Sequence, residues 1–156
     1  MFIDIGSNTG WYPSVLRNNF RRIVTVDPNP KWKADMRIAI SNFDGEATFF
    51  IGNNLGSADS LINTPHILGK DWINRGRLTV KVRRFDTLNV DADLVKIDVE
   101  GAEFKVLEGM QKHLPRNLIV ELHDERREHD LVEVLVSKHY SVQKIDATHF
   151  YGAYLN

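Results

Sequence analysis

Cysteine is absent from this chain of 156 residues, which excludes a disulfide framework, a thiolate nucleophile and a cysteine-ligated metal. No apolar run approaches the roughly 18 residues that cross a membrane. The first residues lack the basic region and apolar core of a signal peptide. We therefore expect a cytoplasmic protein without a membrane span. The net charge is only −1, so a general attraction to nucleic acid or to an anionic membrane is also missing.

The composition, with 42% hydrophobic and 26% charged residues, is that of one soluble globular domain over residues 1–156. Apolar periodicity predicts helices at Trp11–Phe20, Glu103–Leu114 and Glu128–His139. It predicts strands at Phe2–Ile5, Ile23–Val26, Arg37–Ser41, Ala47–Ile51, Leu78–Val82, Leu94–Val99, Leu118–Leu122, Val142–Ile145 and Phe150–Leu155. Asp44-Gly45 is typical of a hairpin turn. We interpret Asn53–Gly76 as a mobile loop with at most one short helix around His66–Asn74.

The alternation of strands and helices indicates βαβ units, and hence an α/β fold with a doubly wound, mostly parallel Rossmann-like sheet. The last two predicted strands form a hairpin, which adds an antiparallel pair at the C-terminal end. The crossover between Val26 and Arg37 is close to the shortest that can connect parallel strands. Any helix in that crossover therefore has one or two turns.

A glycine-containing loop joins the first strand to the first helix and reads Asp4-Ile-Gly6-Ser7-Asn8-Thr-Gly10. Glycines there permit positive φ angles and close approach of a ligand, and the helix N-terminus supplies free N–H groups. Asp27 ends the second strand, where a carboxylate can accept hydrogen bonds from both ribose hydroxyls of an adenine nucleoside. The alternative without a ligand is that Gly6 and Gly10 only form a tight turn and that Asp27 only caps a turn.

The same loop distinguishes between cofactors. The dinucleotide motif G-x-G-x-x-G requires a glycine where this chain has Asn8. Asp4 would repel a pyrophosphate but attract an ammonium or a sulfonium, and S-adenosylmethionine (SAM) carries both cations together with a ribose. The loop therefore favours SAM and leaves an NAD-type dehydrogenase as a weaker alternative.

The segment from Asp93 to Glu103 places Lys96, Asp98 and Glu100 on one face of a strand that should be apolar if it is central and parallel. Buried charges are costly unless they are paired or functional, and ligand sites form at the carboxyl ends of parallel strands. We take Asp98 as the candidate general base. Lys96 could hold it ionised, and Glu100 could bind the acceptor or assist. Glu103 has a simpler explanation, because an acid in the first turn of a helix is favoured by the helix dipole.

Glu121 and His123 repeat this pattern at the end of the next strand. Neighbouring parallel strands end at the same edge of a sheet, so we expect Asp98, Glu121 and His123 to lie together. Such a set is either a base with its orienting groups or a divalent-cation site of two carboxylates and an imidazole. A histidine after a strand is also commonly a plain surface residue.

Taken in order, these motifs resemble the FkbM-type SAM-dependent methyltransferases. The resemblance is carried by Phe2–Gly10, Val26–Pro30, Ala39–Ser41 with Asp44-Gly45, Gly56-Ser57, Arg84–Leu88, Lys96–Glu103 with Leu107–Gly109, and Glu121. It implies a class I methyltransferase sheet and transfer of a methyl group to oxygen, often on sugars or polyketide-like products. It also implies cofactor contacts by Asp4, Gly6, Ser7, Asn8, Gly10, Asp27, Pro28 and Ser41.

Two features depart from the family pattern. The sequence begins at the first strand, without the helices that usually precede it, and the crossover after Asp27 is shorter than in the family. We therefore expect a minimal fold, in which a homo-oligomer could complete the exposed N-terminal side.

The expected acceptor is a hydroxyl of a sugar, a glycan or a small polar metabolite, because an acidic site repels phosphates and bonds to sugar hydroxyls. The loop adds polar and aromatic groups at Asn53, Asn54, Ser57, Asp59, Ser60 and Trp72. A nucleic-acid methyltransferase, the first alternative, would use the basic cluster of Arg75, Arg77, Lys81, Arg83 and Arg84. Amino-directed enzymes of that kind generally carry an Asn/Asp-Pro-Pro-aromatic motif, where this chain has Asp98-Val-Glu100-Gly101. The second alternative is a non-catalytic nucleotide-binding module of the same fold.

Overall fold

The computed structural model describes residues 1–52, 58–63 and 74–155. The strands are β1 (Phe2–Ile5), β2 (Ile23–Val26), β3 (Ala39–Ser41), β4 (Gly45–Ile51), β5 (Gly76–Arg84), β6 (Leu94–Ile97), β7 (Asn117–Glu121), β8 (Tyr140–Lys144) and β9 (His149–Tyr154). The α-helices are α1 (Trp11–Leu16), α2 (Glu103–Glu108) and α3 (Glu128–Ser137), and short 3-10 helices span Phe85–Leu88 and Glu125–Arg127.

The larger sheet has six strands in the order β2-β1-β6-β7-β9-β8. Strands β1, β2, β6 and β7 are parallel, whereas β9 pairs antiparallel with both β7 and β8. All four residues of β1 are buried, as are Val95 to Ile97 of β6, as expected for central parallel strands. The predicted mixed α/β fold, with a mostly parallel sheet and a C-terminal antiparallel pair, is confirmed.

The smaller sheet has the order β3-β5-β4, with β5 parallel to β3 and antiparallel to β4. The predicted hairpin turn at Asp44-Gly45 is therefore wrong, because β5 separates the two strands that this turn connects. The Asp44 carboxylate instead accepts hydrogen bonds from the backbone and side chain of Arg84 and from the Thr87 hydroxyl, which ties the turn to the end of β5. Met36 forms a parallel bridge with Val26, so the chain touches the edge of the larger sheet before it enters β3.

The helices are shorter than the periodicity predicts. Helix α1 ends at Leu16 rather than at Phe20, and it buries none of its residues, so tertiary packing does not extend it. Helix α3 ends at Ser137 rather than at His139, whose φ of 66° is left-handed and terminates the helix.

Helix α2 ends at Glu108 because the following glycine lies against the smaller sheet. A Cβ atom on Gly109 would lie 2.0 Å from the carbonyl oxygen of Ser41. The backbone N–H groups of residues 111–113 then donate to the Asp86 carboxylate instead of continuing the helix to the predicted Leu114. This contact fixes the end of α2 against the backbone of β3.

Most of the predicted loop, including its short helix around His66–Asn74 and Gly56-Ser57, lies outside the described residues. Residues 58–63 are described, and Ser60 among them forms an antiparallel bridge with Phe50 of β4. Within the described ranges, no helix is long and apolar enough to cross a membrane.

Candidate functional site

A pocket lies at the carboxyl ends of β1, β2 and β6. Strand β2 lies on one side of β1 and β6 lies on the other, so the order of the strands along the chain reverses at β1. The cavity volume of this pocket is about 50 Å³, and part of the pocket is open to solvent. Its lining includes four of the predicted cofactor contacts, Gly6, Asn8, Asp27 and Pro28, together with the predicted catalytic residues Asp98 and Glu100. Such a reversal point is where open α/β sheets bind their ligands.

The glycine loop crosses directly over the end of β6. Gly6 has a φ of 80°, and a Cβ atom on it would lie 1.7 Å from the carbonyl oxygen of Asp98. Gly10 has a φ of 79° at the start of α1, but a Cβ atom there would meet no heavy atom within 4 Å. Gly6 is therefore required for backbone contact, whereas Gly10 is required only for its left-handed conformation.

Asp27 stands at the end of β2 with its carboxylate fixed by the backbone. One oxygen accepts the N–H of Asn8 and the other accepts the N–H of Asn29, both at 2.9 Å. Burial raises the pKa of Asp27, and the two backbone hydrogen bonds oppose that shift. Each carboxylate oxygen still has a lone pair, so the group can accept further hydrogen bonds from the pocket side.

Asp4 and Ser7, two further predicted cofactor contacts, are buried and do not line the pocket. Asp4 is 1% exposed, and among the described residues its Oδ1 atom has no hydrogen-bond partner, which also holds for the Ser7 hydroxyl. Burial raises the pKa of Asp4 to about 6, and the charge of Lys96 offsets only part of that rise. Buried polar groups without a partner are rare in proteins, so they mark a position where a ligand or ion would be accommodated.

The smaller sheet supplies an apolar wall to the pocket, formed by Ile40, Phe49 and their neighbours. Asp59 is the acid on this wall, and it accepts the backbone N–H of Gly52 at 2.9 Å and the side-chain amide of Asn29. The sequence analysis assigned Asp59 to the acceptor loop, and the structure places it in the same pocket as Asp27. This position depends on the antiparallel bridge between Ser60 and Phe50 of β4, which the sequence analysis did not predict.

Ser41, a further predicted cofactor contact, does not line this pocket. Its hydroxyl lies 3.4 Å from the Asn42 side-chain oxygen and is fully buried. Its neighbours Ala39 and Ile40 reach the pocket instead. The strand is therefore at the pocket as predicted, but the polar residue within it faces elsewhere.

Lys96 is buried in the central strand β6 and forms an ion pair with Asp98. Its Nζ atom donates to Asp98 Oδ2 at 2.7 Å and lies 4.4 Å from the ring centroid of Tyr12. The ion pair and the aromatic ring together explain how a lysine that is only 2% exposed is tolerated there. Tyr12 was not among the site residues that the sequence analysis predicted.

His123 connects three carboxylates. Its Nε2 atom lies 3.1 Å from Glu100 Oε2 and 3.7 Å from Asp98 Oδ1, and its Nδ1 atom lies 2.9 Å from Glu103 Oε1. Glu100 reaches this position from a backbone with a φ of 53°, which is uncommon for a residue other than glycine. We call Asp98, Glu100, Glu103 and His123 the carboxylate–imidazole cluster.

Two members of this cluster, Glu100 and His123, have raised pKa values. Burial raises the pKa of Glu100 to about 8, although the charge of His123 opposes the shift. Burial alone would lower the pKa of His123, but the bond to Glu103 and the nearby negative charges raise it to about 9. Glu100 and His123 therefore hold their protons at higher pH than the isolated side chains would.

Glu121 does not join this cluster as a ligand group. Its carboxylate lies 3.2 Å from the Nε2 atom of His149, and burial, followed by the charge of Asp98, raises its pKa. The group of side chains that could hold a cation is Asp98, Glu100 and His123, whose ligand atoms lie within 4.8 Å of one another. Glu100 thus takes the place that the sequence analysis gave to Glu121.

A parallel sheet with a pocket at its carboxyl edge is the arrangement in which open α/β proteins bind their ligands. The family model described as Methyltransferase FkbM domain matches residues 4–142, and the chain belongs to this family. The expected resemblance is therefore confirmed. Comparison with curated proteins and with solved structures returned no match.

Proposed function

We propose that this protein is a SAM-dependent methyltransferase of the class I, doubly wound type, and that it methylates a hydroxyl group. The observation that carries this proposal is the pocket that extends from Asp27 to Asp98 beneath the Gly6–Gly10 loop. Together with the family membership, this pocket combines a nucleoside-type site with a candidate base at its rim.

The residues present fit SAM in charge and in hydrogen-bonding capacity. Asp27 offers fixed carboxylate oxygens for ribose hydroxyls, and Asp59 offers an acceptor beside the apolar wall, where a planar base with an amino group would lie. Asp4 has a buried carboxylate oxygen without a hydrogen-bond partner among the described residues, and a positive charge of the cofactor nearby would stabilise this carboxylate. The open space around Gly10 leaves room for a ligand along the loop.

The bound cofactor would supply a methyl group on a positively charged sulfur. The Asp98 carboxylate would take the proton of the acceptor hydroxyl while the acceptor oxygen forms a bond to the methyl carbon. The carbon–sulfur bond would break in the same step, and its electron pair would stay on the departing sulfur, which becomes neutral. Lys96 fixes one carboxylate oxygen of Asp98, so the other oxygen is directed toward His123. A positioned base of this kind contributes roughly 10²–10⁴-fold, and alignment of acceptor and methyl contributes the rest.

The rim of the site favours a neutral acceptor rich in hydroxyl groups. Asp98, Glu100, Glu121 and His123 are each partly exposed, with side-chain exposures between 17% and 26%. These side chains can exchange hydrogen bonds with sugar hydroxyls, so we propose a sugar, a glycan or a small polar metabolite as acceptor. Of the loop residues predicted to contact it, Asn53, Asn54, Ser57 and Trp72 lie outside the described part of the chain.

A divalent cation at Asp98, Glu100 and His123 would add charge stabilisation to the developing alkoxide. Two carboxylates and an imidazole are ligands that Mn²⁺ and similar ions accept. The Lys96 ammonium beside Asp98 opposes such binding, so the cation is a secondary part of the proposal. A cytoplasmic location and a homo-oligomer that covers the N-terminal side remain further expectations.

Separate calorimetric titrations with S-adenosylhomocysteine and with NAD test the cofactor. We expect S-adenosylhomocysteine to bind and NAD to give no heat. Binding of NAD alone would instead identify a dehydrogenase-type module.

The acceptor is tested by supplying labelled SAM with oligosaccharides, small alcohols, RNA and DNA. We expect label in the glycans or alcohols. Selective labelling of RNA or DNA would contradict the proposal and favour the basic cluster on β5 as a binding surface. Cofactor binding without any transfer would favour the non-catalytic module.

A further inference from the structure

Glu103 is buried where a simple first-turn acid would be exposed. It is 1% exposed, and its Oε1 atom accepts the backbone N–H of Gly101 at 2.8 Å and lies 2.9 Å from His123 Nδ1. A favourable interaction with the helix dipole is available at the surface and does not require burial. Burying a carboxylate is costly unless it is paired and hydrogen-bonded, so the contact with His123 is what stabilises Glu103 in this position.

The Glu103 contact determines which way the imidazole ring faces. With Nδ1 held by Glu103, the Nε2 atom is directed at Glu100 and Asp98, at 3.1 and 3.7 Å. The ring torsion of histidine is broad and roughly two-fold, so the side chain alone does not select this orientation. A buried partner on the opposite nitrogen is a common way to fix both ring orientation and tautomer.

The backbone supports the same arrangement. Glu100 and Gly101 both have left-handed φ angles, of 53° and 95°. Such a conformation at a residue other than glycine is strained and clusters at functional sites. Here it turns the Glu100 side chain toward His123 while the N–H of Gly101 points at Glu103.

We infer that Glu103 is a positioning residue of the methyl-transfer site, whose buried carboxylate orients His123 so that Nε2 faces Asp98 and Glu100. Asp98 is then held from two sides, by Lys96 on Oδ2 and by His123 near Oδ1. This inference rests on the proposed function, because it takes Asp98 and Glu100 as the groups that face the acceptor. Glu103 itself does not line the pocket and acts through His123.

The test compares Glu103→Gln, Glu103→Asp and the control Glu108→Gln, an exposed acid in the same helix. The Asp variant keeps the charge at the first turn but shortens the side chain by one methylene, so it separates ring positioning from the helix dipole. We expect both Glu103 variants to lose the slowly exchanging Nδ1–H signal of His123 in proton NMR, assigned by its absence in His123→Gln. We also expect kcat to fall about 10- to 100-fold at unchanged acceptor KM, with Glu108→Gln like the parent.

Full turnover and an unchanged Nδ1–H signal in Glu103→Asp would overturn the inference, because only the charge would then matter. An unchanged signal in Glu103→Gln would overturn it as well. If Glu103→Gln does not fold, the Asp variant and the parent decide the question. Binding of S-adenosylhomocysteine by the parent reports separately on the proposed function, so failure of that function is distinguishable from failure of the Glu103 role.

Discussion

Replacement of Gly6 by alanine tests whether the loop and the end of β6 are in direct backbone contact. The added Cβ atom would lie 1.7 Å from the Asp98 carbonyl oxygen, and real Cβ atoms essentially never come closer than 3.0 Å. The two backbones must therefore separate by about 1.3 Å, the difference between these two distances. Left-handed strain adds about 1–2 kcal/mol and overpacking about 1–3 kcal/mol, so we expect Gly6→Ala to lower the free energy of unfolding by about 2–5 kcal/mol.

Gly10→Ala is the matched control for this prediction. Gly10 has nearly the same φ, 79° against 80°, but a Cβ atom there meets open space. It should therefore show only the left-handed strain of about 1–2 kcal/mol. The difference between the two variants in urea unfolding isolates the contact with Asp98.

The displacement caused by Gly6→Ala should abolish methyl transfer while the variant still folds. A misplacement of about 1 Å can reduce catalysis roughly 100-fold, because alignment is lost. We expect Gly6→Ala to retain its circular-dichroism spectrum at low temperature and to lose measurable methyl transfer. Equal unfolding free energies for Gly6→Ala and Gly10→Ala, with parent-like transfer by Gly6→Ala, would refute the described contact.

Four further predictions follow from the site. Asp27→Ala should weaken binding of S-adenosylhomocysteine by about 1.5–3 kcal/mol in calorimetry; the exposed Asp91→Ala should not, and equal affinities would exclude a ribose contact. Asp98→Asn should lower kcat by about 10²–10⁴-fold with little change in thermal midpoint, whereas a collapsed midpoint at parent-like turnover would indicate a structural role. Exhaustive chelation should reduce transfer if a cation sits on the cluster, and full activity afterwards would remove the cation from the proposal. The pKa of His123 is raised from 6.5 to about 9, so its stabilisation is fully present below pH 6.5 and lost as pH rises toward 9; Glu100, with its pKa raised to about 8, contributes a fall in the same direction, so urea unfolding of the parent should show the fall and the double variant His123→Gln, Glu100→Gln should reduce it.

The larger sheet could be predicted from the sequence because its strands are short, apolar and locally marked. Strands β1 and β2 begin and end at the predicted residues, and the terminal antiparallel pair was predicted as a hairpin. The smaller sheet could not be predicted, because the insertion of β5 between β3 and β4 depends on pairing across a long sequence separation. Periodicity shows which face of a strand is buried but not which strand lies beside it.

The residues of the candidate site also divide into those that the local sequence predicts and those that it does not. Gly6, Asn8, Asp27 and Asp98 were predicted together, because loop ends and strand ends follow the chain locally. Glu103 was interpreted as a helix-dipole acid, since its sequence position fits that role, and its burial depends on His123 from the neighbouring strand. Residues that act through a distant partner carry no local signal of that role.

The contact between Gly109 and Ser41 links the position of the apolar pocket wall to a residue that does not line the pocket. Gly109 holds α2 against the backbone of β3, and the residues just before Ser41 form the apolar wall opposite Asp27. A side chain at residue 109 would therefore force α2 and β3 apart, just as alanine at residue 6 would force the loop and β6 apart, and the displacement of β3 would reach the pocket wall without replacing any residue of the pocket.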